Sequence, residues 1–209
     1  MLPYWILFAF FAVGALISLR RQGPAEWVAV PAEAAPAAPT LLPRRPGFLL
    51  GLGFLAMLLM IGLRFDVGGD WYNYDRIFDR SAFLTLAAQL AASDPAYQLV
   101  NWVVVTNGGH VGHVNLVCAI PFVWGLYRLA RLQPEPWLVV VVAIPYMIVV
   151  VAMGYTRQAV ALGFLMMGLA AVIRGGGLFR FALYVLLAAL FHRTAIVFLP
   201  LMIFVFPQS

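Results

Sequence analysis

The sequence predicts an all-α, polytopic transmembrane bundle of about 6–7 membrane helices with one short re-entrant or interfacial segment. Three observations predict it. The 209 residues are 64% hydrophobic and only 10% charged, with a mean hydropathy of +0.95. A soluble domain is nearer half apolar and a quarter charged, and lacks the interior to hide this much apolar surface. The apolar residues form continuous runs, unlike the short alternating segments of a β-barrel. The few charges gather where those runs end, and charge at membrane depth is costly enough to mark a cavity or a substrate path.

The runs are Leu2–Leu19, Gly47–Leu63, Val111–Leu126, Trp137–Met153, Ala159–Ile173 and Leu178–Phe206. The first has its arginines, Arg20 and Arg21, after it, so it reads as a retained span and not as a signal peptide. The fifth is slightly short. The last is split by His192-Arg193, which predicts either one kinked helix or two short helices meeting at a polar point. Tyr97–Thr106 is apolar but too short to span, and Asn107-Gly108-Gly109 after it signals a turn. The chain reads as one transmembrane domain over 1–209.

Arginine placement sets the expected topology. Residues 20–46 form a Pro/Ala-rich linker flanked by Arg20-Arg21 and Arg44-Arg45, a composition that stays extended or disordered. Basic residues beside spans favour the cytoplasm. The N-terminus is therefore expected outside and residues 64–110 form an external loop with short helical segments. Arg128, Arg131, Arg174 and Arg180 then fall inside, as the rule asks. The net charge of +5 is ordinary for such a bundle and does not imply nucleic-acid binding. All the basic residues are Arg, which carries no functional weight. Cys118, the single cysteine, has no disulfide or zinc partner and reads as packing.

On this topology three polar constellations meet on one side. In Arg64-Phe65-Asp66-Val67-Gly68-Gly69-Asp70-Trp71-Tyr72-Asn73-Tyr74, Arg64 offers a planar fork for phosphate or carboxylate. Gly68-Gly69 allows a tight turn or close approach. Asp70 suits a base, an arginine partner or a sugar hydroxyl. Trp71, Tyr72 and Tyr74 suit a sugar face, and equally an interfacial aromatic belt. In Tyr155-Thr156-Arg157-Gln158 a helix start and an arginine together favour an anion, the plainer reading being an arginine snorkelling to headgroups. In Phe191-His192-Arg193-Thr194 a histidine sits inside an apolar block, where it can shuttle a proton or serve as a polar hinge. His110 and His113 have no carboxylate at ligand spacing and read as loop or span-edge residues. No metal site is expected, and there is no phosphate-loop, HExxH, GxSxG or dinucleotide motif.

These three blocks, in this order, resemble the EpsG family, described as Wzy-like membrane polymerases of bacterial exopolysaccharide. The pieces that match are Arg64 to Tyr74, Thr156-Arg157-Gln158-Ala159-Val160-Ala161 and Leu190-Phe191-His192-Arg193-Thr194-Ala195. The resemblance covers the chain from about Gly47 onward. It implies a multi-pass protein of the bacterial inner membrane that transfers a glycan from a polyprenyl-pyrophosphate carrier to a sugar hydroxyl of another lipid-linked unit, at the outer face. His192 or Asp70 would be the base. Arg64, Arg157, Arg193, Tyr74 and Gln158 would bind substrate. No cofactor or metal is implied, because arginines neutralise the leaving pyrophosphate. Partners would be the lipid-linked saccharide, the bilayer and other polysaccharide-assembly proteins. Members of the family are longer, so the resemblance also implies a missing C-terminal part. The alternatives are a transporter or flippase for a lipid-linked or anionic solute, for which a broken helix is apt, and a non-catalytic membrane subunit or decayed fragment.

Overall fold

The structure is a computed structural model that describes residues 2–20 and 47–200; the linker over 21–46 and the last nine residues lie outside the described residues. Every apolar run predicted within the described residues forms a helix. The first is α1, Leu2–Arg20, and the second α2, Phe48–Gly62. Then come α6, Val111–Ala130, α8, Thr156–Ile173, and α9, Leu178–Phe191. Between α6 and α8, α7 begins at Pro136 and runs as an α-helix to Ala143. It continues as a π-helix over Ile144–Ala152. Pro145 has no N–H to return to the carbonyl four residues back, and its ring crowds that carbonyl. The wider π turn accommodates both effects.

Helices α1, α6 and α8 are long and apolar enough to cross a membrane; α2, α7 and α9 are apolar but shorter. Their outer faces carry exposed large apolar side chains such as Trp5, Phe48, Val142 and Phe179, as a lipid-facing surface does. Among the described residues the secondary structure is all helical, with the apolar helices of a multi-pass membrane protein.

The interior is held by close packing, since lipid tails provide little hydrophobic drive for helices to associate. Helix α6 packs on α8 and on α2, α8 on α9, and α1 on α7. At the α6–α8 crossing the backbones touch. A Cβ on Gly125 would collide with the Gly163 carbonyl, and one on Gly163 with Pro121. Small residues at this crossing are therefore a packing requirement. Around it lie Phe122, Leu126, Ile148, Met57 and Phe11, all essentially buried.

Between α2 and α6 the chain folds into three short helices: α3, Trp71–Ser81, α4, Leu86–Leu90, and α5, Pro95–Thr106. Helix α3 is amphipathic. Trp71, Tyr74 and Phe78 are buried on one face, while Arg76, Asp79 and Arg80 are exposed. That is the spacing of a 3.6-residue period. The segment expected to be short and apolar, Tyr97–Thr106, is the body of α5. At 12 residues it extends about 18 Å, well short of a hydrocarbon core of about 30 Å. It packs against α3, α4, α6 and α9.

The last apolar block breaks at His192. Helix α9 ends at Phe191, His192 is extended (φ −154°, ψ 100°), and a 3-10 turn follows over Arg193–Phe198. The polar point expected from the sequence is thus a chain break. How the block continues past Pro200 lies outside the described residues.

Candidate functional site: an arginine-centred cluster at one end of the bundle

The polar residues gather where the end of α2, the start of α6, the end of α7, the start of α8 and the end of α9 meet. Arg64 follows α2 by two residues. It is buried, with 6% of its surface exposed. Its Nη1 donates to the Ile61 carbonyl at 2.8 Å, one of the acceptors that a helix end leaves free. Its Nη2 donates to Thr156 Oγ1 at 2.6 Å and to Asn115 Oδ1 at 3.2 Å. The Thr156 hydroxyl in turn donates to Asn115 Oδ1 at 3.3 Å. One guanidinium thereby ties α2, α6 and α8 together.

The loop after Arg64 makes a close approach. Gly68 has φ +109°, and a Cβ there would strike the Met153 carbonyl and Gly154. Only glycine fits both the dihedral and the space. Asp70 is half-buried at the N-cap position of α3 and makes no side-chain cap bond. Its carbonyl accepts from the Tyr74 N–H at 3.1 Å, one turn on.

Arg157, in the first turn of α8, is the more accessible arginine, with 23% of its side chain exposed. Its guanidinium lies over the ring of Tyr74 at 5.6 Å and that of Tyr97 at 5.9 Å. The two rings meet edge to face at 5.6 Å. Flat tyrosine faces attract a cation while leaving its N–H edges free to bond. One of those edges is in use: Nη1 forms a salt bridge to Asp94 Oδ2 at 2.8 Å. Burial pushes the Tyr74 phenol up, with the Arg157 guanidinium pulling in the opposite direction. Burial pushes Tyr97 up as well. Both phenols therefore stay protonated at neutral pH.

Asp94 is the residue the sequence reading missed. It is 6% exposed and left-handed (φ 58°, ψ 61°), immediately before Pro95 at the start of α5. Its second oxygen, Oδ1, accepts the backbone N–H of Arg193 at 3.2 Å. Through its two oxygens Asp94 ties the break in α9 to the first turn of α8. His192 is half-buried at this break, the Arg193 side chain is exposed, and Gln158 is exposed one residue beyond Arg157. The structure thus brings Arg64 to Thr156, and Arg157 to Tyr74 and to Asp94, which in turn holds the Arg193 backbone N–H. Asn115, Asn101 and Tyr97 were also missed. A polar residue inside an apolar run is itself a signal, and Asn115 and Asn101 are fully or almost fully buried.

His110 and His113 cap α6. His110 Nδ1 accepts from Gly112 N–H, and His113 Nδ1 from His110 N–H, both at 3.1 Å. Among the described residues no three His, Cys, Asp or Glu side chains are grouped to hold a metal ion. An apolar groove lined by Phe54, Leu58, Val123, Trp124 and Tyr127 lies toward the opposite ends of α2 and α6 and has none of this chemistry.

The model of the EpsG family matches residues 48–208. The chain belongs to the EpsG family. No curated protein and no solved structure matches it. The family match begins at the first residue of α2, so it includes every member of the cluster and leaves α1 and the whole linker outside.

Proposed function

We propose that this EpsG-family protein is a membrane glycan polymerase whose site is the cluster around Arg157. It transfers a glycan from a polyprenyl-pyrophosphate carrier to a sugar hydroxyl in exopolysaccharide assembly. The bond from the anomeric carbon to the pyrophosphate oxygen breaks, a new glycosidic bond forms, and the acceptor's proton passes to a base. The negative charge stays on the carrier pyrophosphate. The observation that carries this reading is the partly exposed Arg157 guanidinium, held over Tyr74 and Tyr97 and linked through Asp94 to the Arg193 N–H at the break in α9. An arginine fixed in advance stabilises the departing charge without reorganising.

Arg157 takes the pyrophosphate in this account, with Gln158 and the exposed Arg193 side chain at its edge. His192 or Asp70 takes the proton. Tyr74 and Tyr97 are unsuited to that task because their phenols stay protonated. Arg64 acts from behind, because both its terminal nitrogens are committed to protein acceptors. Helices α1, α2, α6, α7, α8 and α9 span the bacterial inner membrane with the N-terminus outside, the linker inside and α5 re-entrant, so the cluster faces outward. The flippase reading rests on the broken α9, which would use the same arginine for binding without bond formation.

Surface polysaccharide length on a gel tests the reading, in a deletion strain, the restored strain, and strains carrying Arg157→Ala or Arg157→Lys at equal protein level. Loss of long chains, with single lipid-linked units accumulating outside, supports the polymerase. Unchanged chains in the deletion sink it, and units trapped on the inner face favour the flippase.

A further inference from the structure

We propose that Asp94 is a positioning residue that orients Arg157 for a diphosphate anion and couples that orientation to the break in α9. The proposal rests on the pyrophosphate reading of Arg157 given above. An arginine on an aromatic face is held in plane by its cation–π contacts but is free to swivel within it. The Asp94 carboxylate removes that freedom by anchoring Nη1 at 2.8 Å. Among the described residues Nη1 is the only Arg157 nitrogen that donates to a protein acceptor, which leaves Nε and Nη2 as a fork for the anion, the bidentate geometry that phosphate oxygens prefer.

Three features single out Asp94. Its side chain is 5% exposed, so its bond to Arg157 is weakly screened, unlike a surface pair. It adopts φ 58°, a region that Asp and Asn tolerate better than other non-glycine residues. It also spends its other oxygen on the Arg193 N–H, one residue past His192. The same carboxylate therefore sets the direction of the cation and the position of the segment bearing His192. A movement of the α9 break is felt at Arg157 through two bonds.

The test is binding of inorganic pyrophosphate to the purified full chain in detergent, measured by calorimetry, with the thermal midpoint of each variant recorded without ligand. The variants are Asp94→Asn, Asp94→Gly, Arg157→Ala and the double Asp94→Asn/Arg157→Ala. Asn and Gly both accept the left-handed backbone, so either one that keeps the wild-type midpoint reports on binding alone. We expect each to weaken binding by roughly tenfold or more. We also expect Asp94→Asn to add nothing in the Arg157→Ala background, since a residue that acts through another has no effect without it. Wild-type affinity in Asp94→Asn or Asp94→Gly, or an equal loss in both backgrounds, overturns the positioning role and leaves the site reading intact. Absence of pyrophosphate binding to the wild type overturns both.

Discussion

Arg64 Nη2 and Thr156 Oγ1 lie 2.6 Å apart, joining the end of α2 to the first residue of α8 across 92 positions of sequence. The same guanidinium also holds Asn115 and the Ile61 carbonyl. Its removal leaves the Ile61 carbonyl and Thr156 Oγ1 without a donor, and Asn115 Oδ1 with the Thr156 hydroxyl alone. Arg64→Ala should therefore destabilise the fold by about 3 kcal/mol, the scale of losing charged hydrogen bonds in a buried place. Arg64→Lys keeps the charge without the fork and should recover only part of this. The thermal midpoint of the detergent-solubilised protein measures both. A wild-type midpoint in Arg64→Ala would remove Arg64 from the frame of the bundle.

Gly68 allows the loop after α2 to reach the end of α7. Gly68→Ala forces a side chain into the Met153 carbonyl from a backbone angle of +109°, a strain on the order of 1–3 kcal/mol. Polymer length should fall together with the thermal midpoint. Gly47→Ala meets nothing within 4 Å and should leave both unchanged.

The α6–α8 crossing makes a sharper demand. Gly163→Val would drive methyl groups into the Pro121 carbonyl, and overpacking of this kind costs about 1–3 kcal/mol or more. Size-exclusion chromatography should show loss of the folded, monodisperse protein. Gly51→Ala faces open space and serves as the control that should behave as wild type.

Tyr74 gives a pH prediction. Burial holds its phenol above the usual tyrosine value, so it does not ionise as pH rises through neutrality. Tyr74→Phe should keep the shape of the activity profile from about pH 6 to about pH 9, while weakening activity through the lost hydroxyl. An alkaline limb that disappears in Tyr74→Phe would mean that the phenol titrates in the reaction.

Much of this architecture is legible in the sequence because membrane helices announce themselves by length and apolarity. Helix α6 begins at Val111, as its run does, and α9 stops at His192, where the run is interrupted. The cluster is legible only in part. Arg64 and Arg157 stand out equally as charges beside spans, yet one is buried among acceptors and the other is partly open. Sequence position cannot distinguish a buried arginine from an accessible one, since both lie at a helix end. Asp94 is hidden for a different reason. Asp before Pro is an ordinary helix start, and its pairing with Arg157 comes only from the fold, which sets the start of α5 beside the first turn of α8. The π turn in α7 leaves Pro145 as its sole trace.

The most direct measurement is transfer by the purified protein in proteoliposomes, using lipid-linked units extracted from the deletion strain. The account predicts that wild-type protein joins those units into longer lipid-linked chains and that Arg157→Lys, at equal incorporation and with an unchanged thermal midpoint, does not. Chains of equal length from Arg157→Lys would contradict the placement of the reaction at Arg157, and no elongation by the wild type would contradict the polymerase itself.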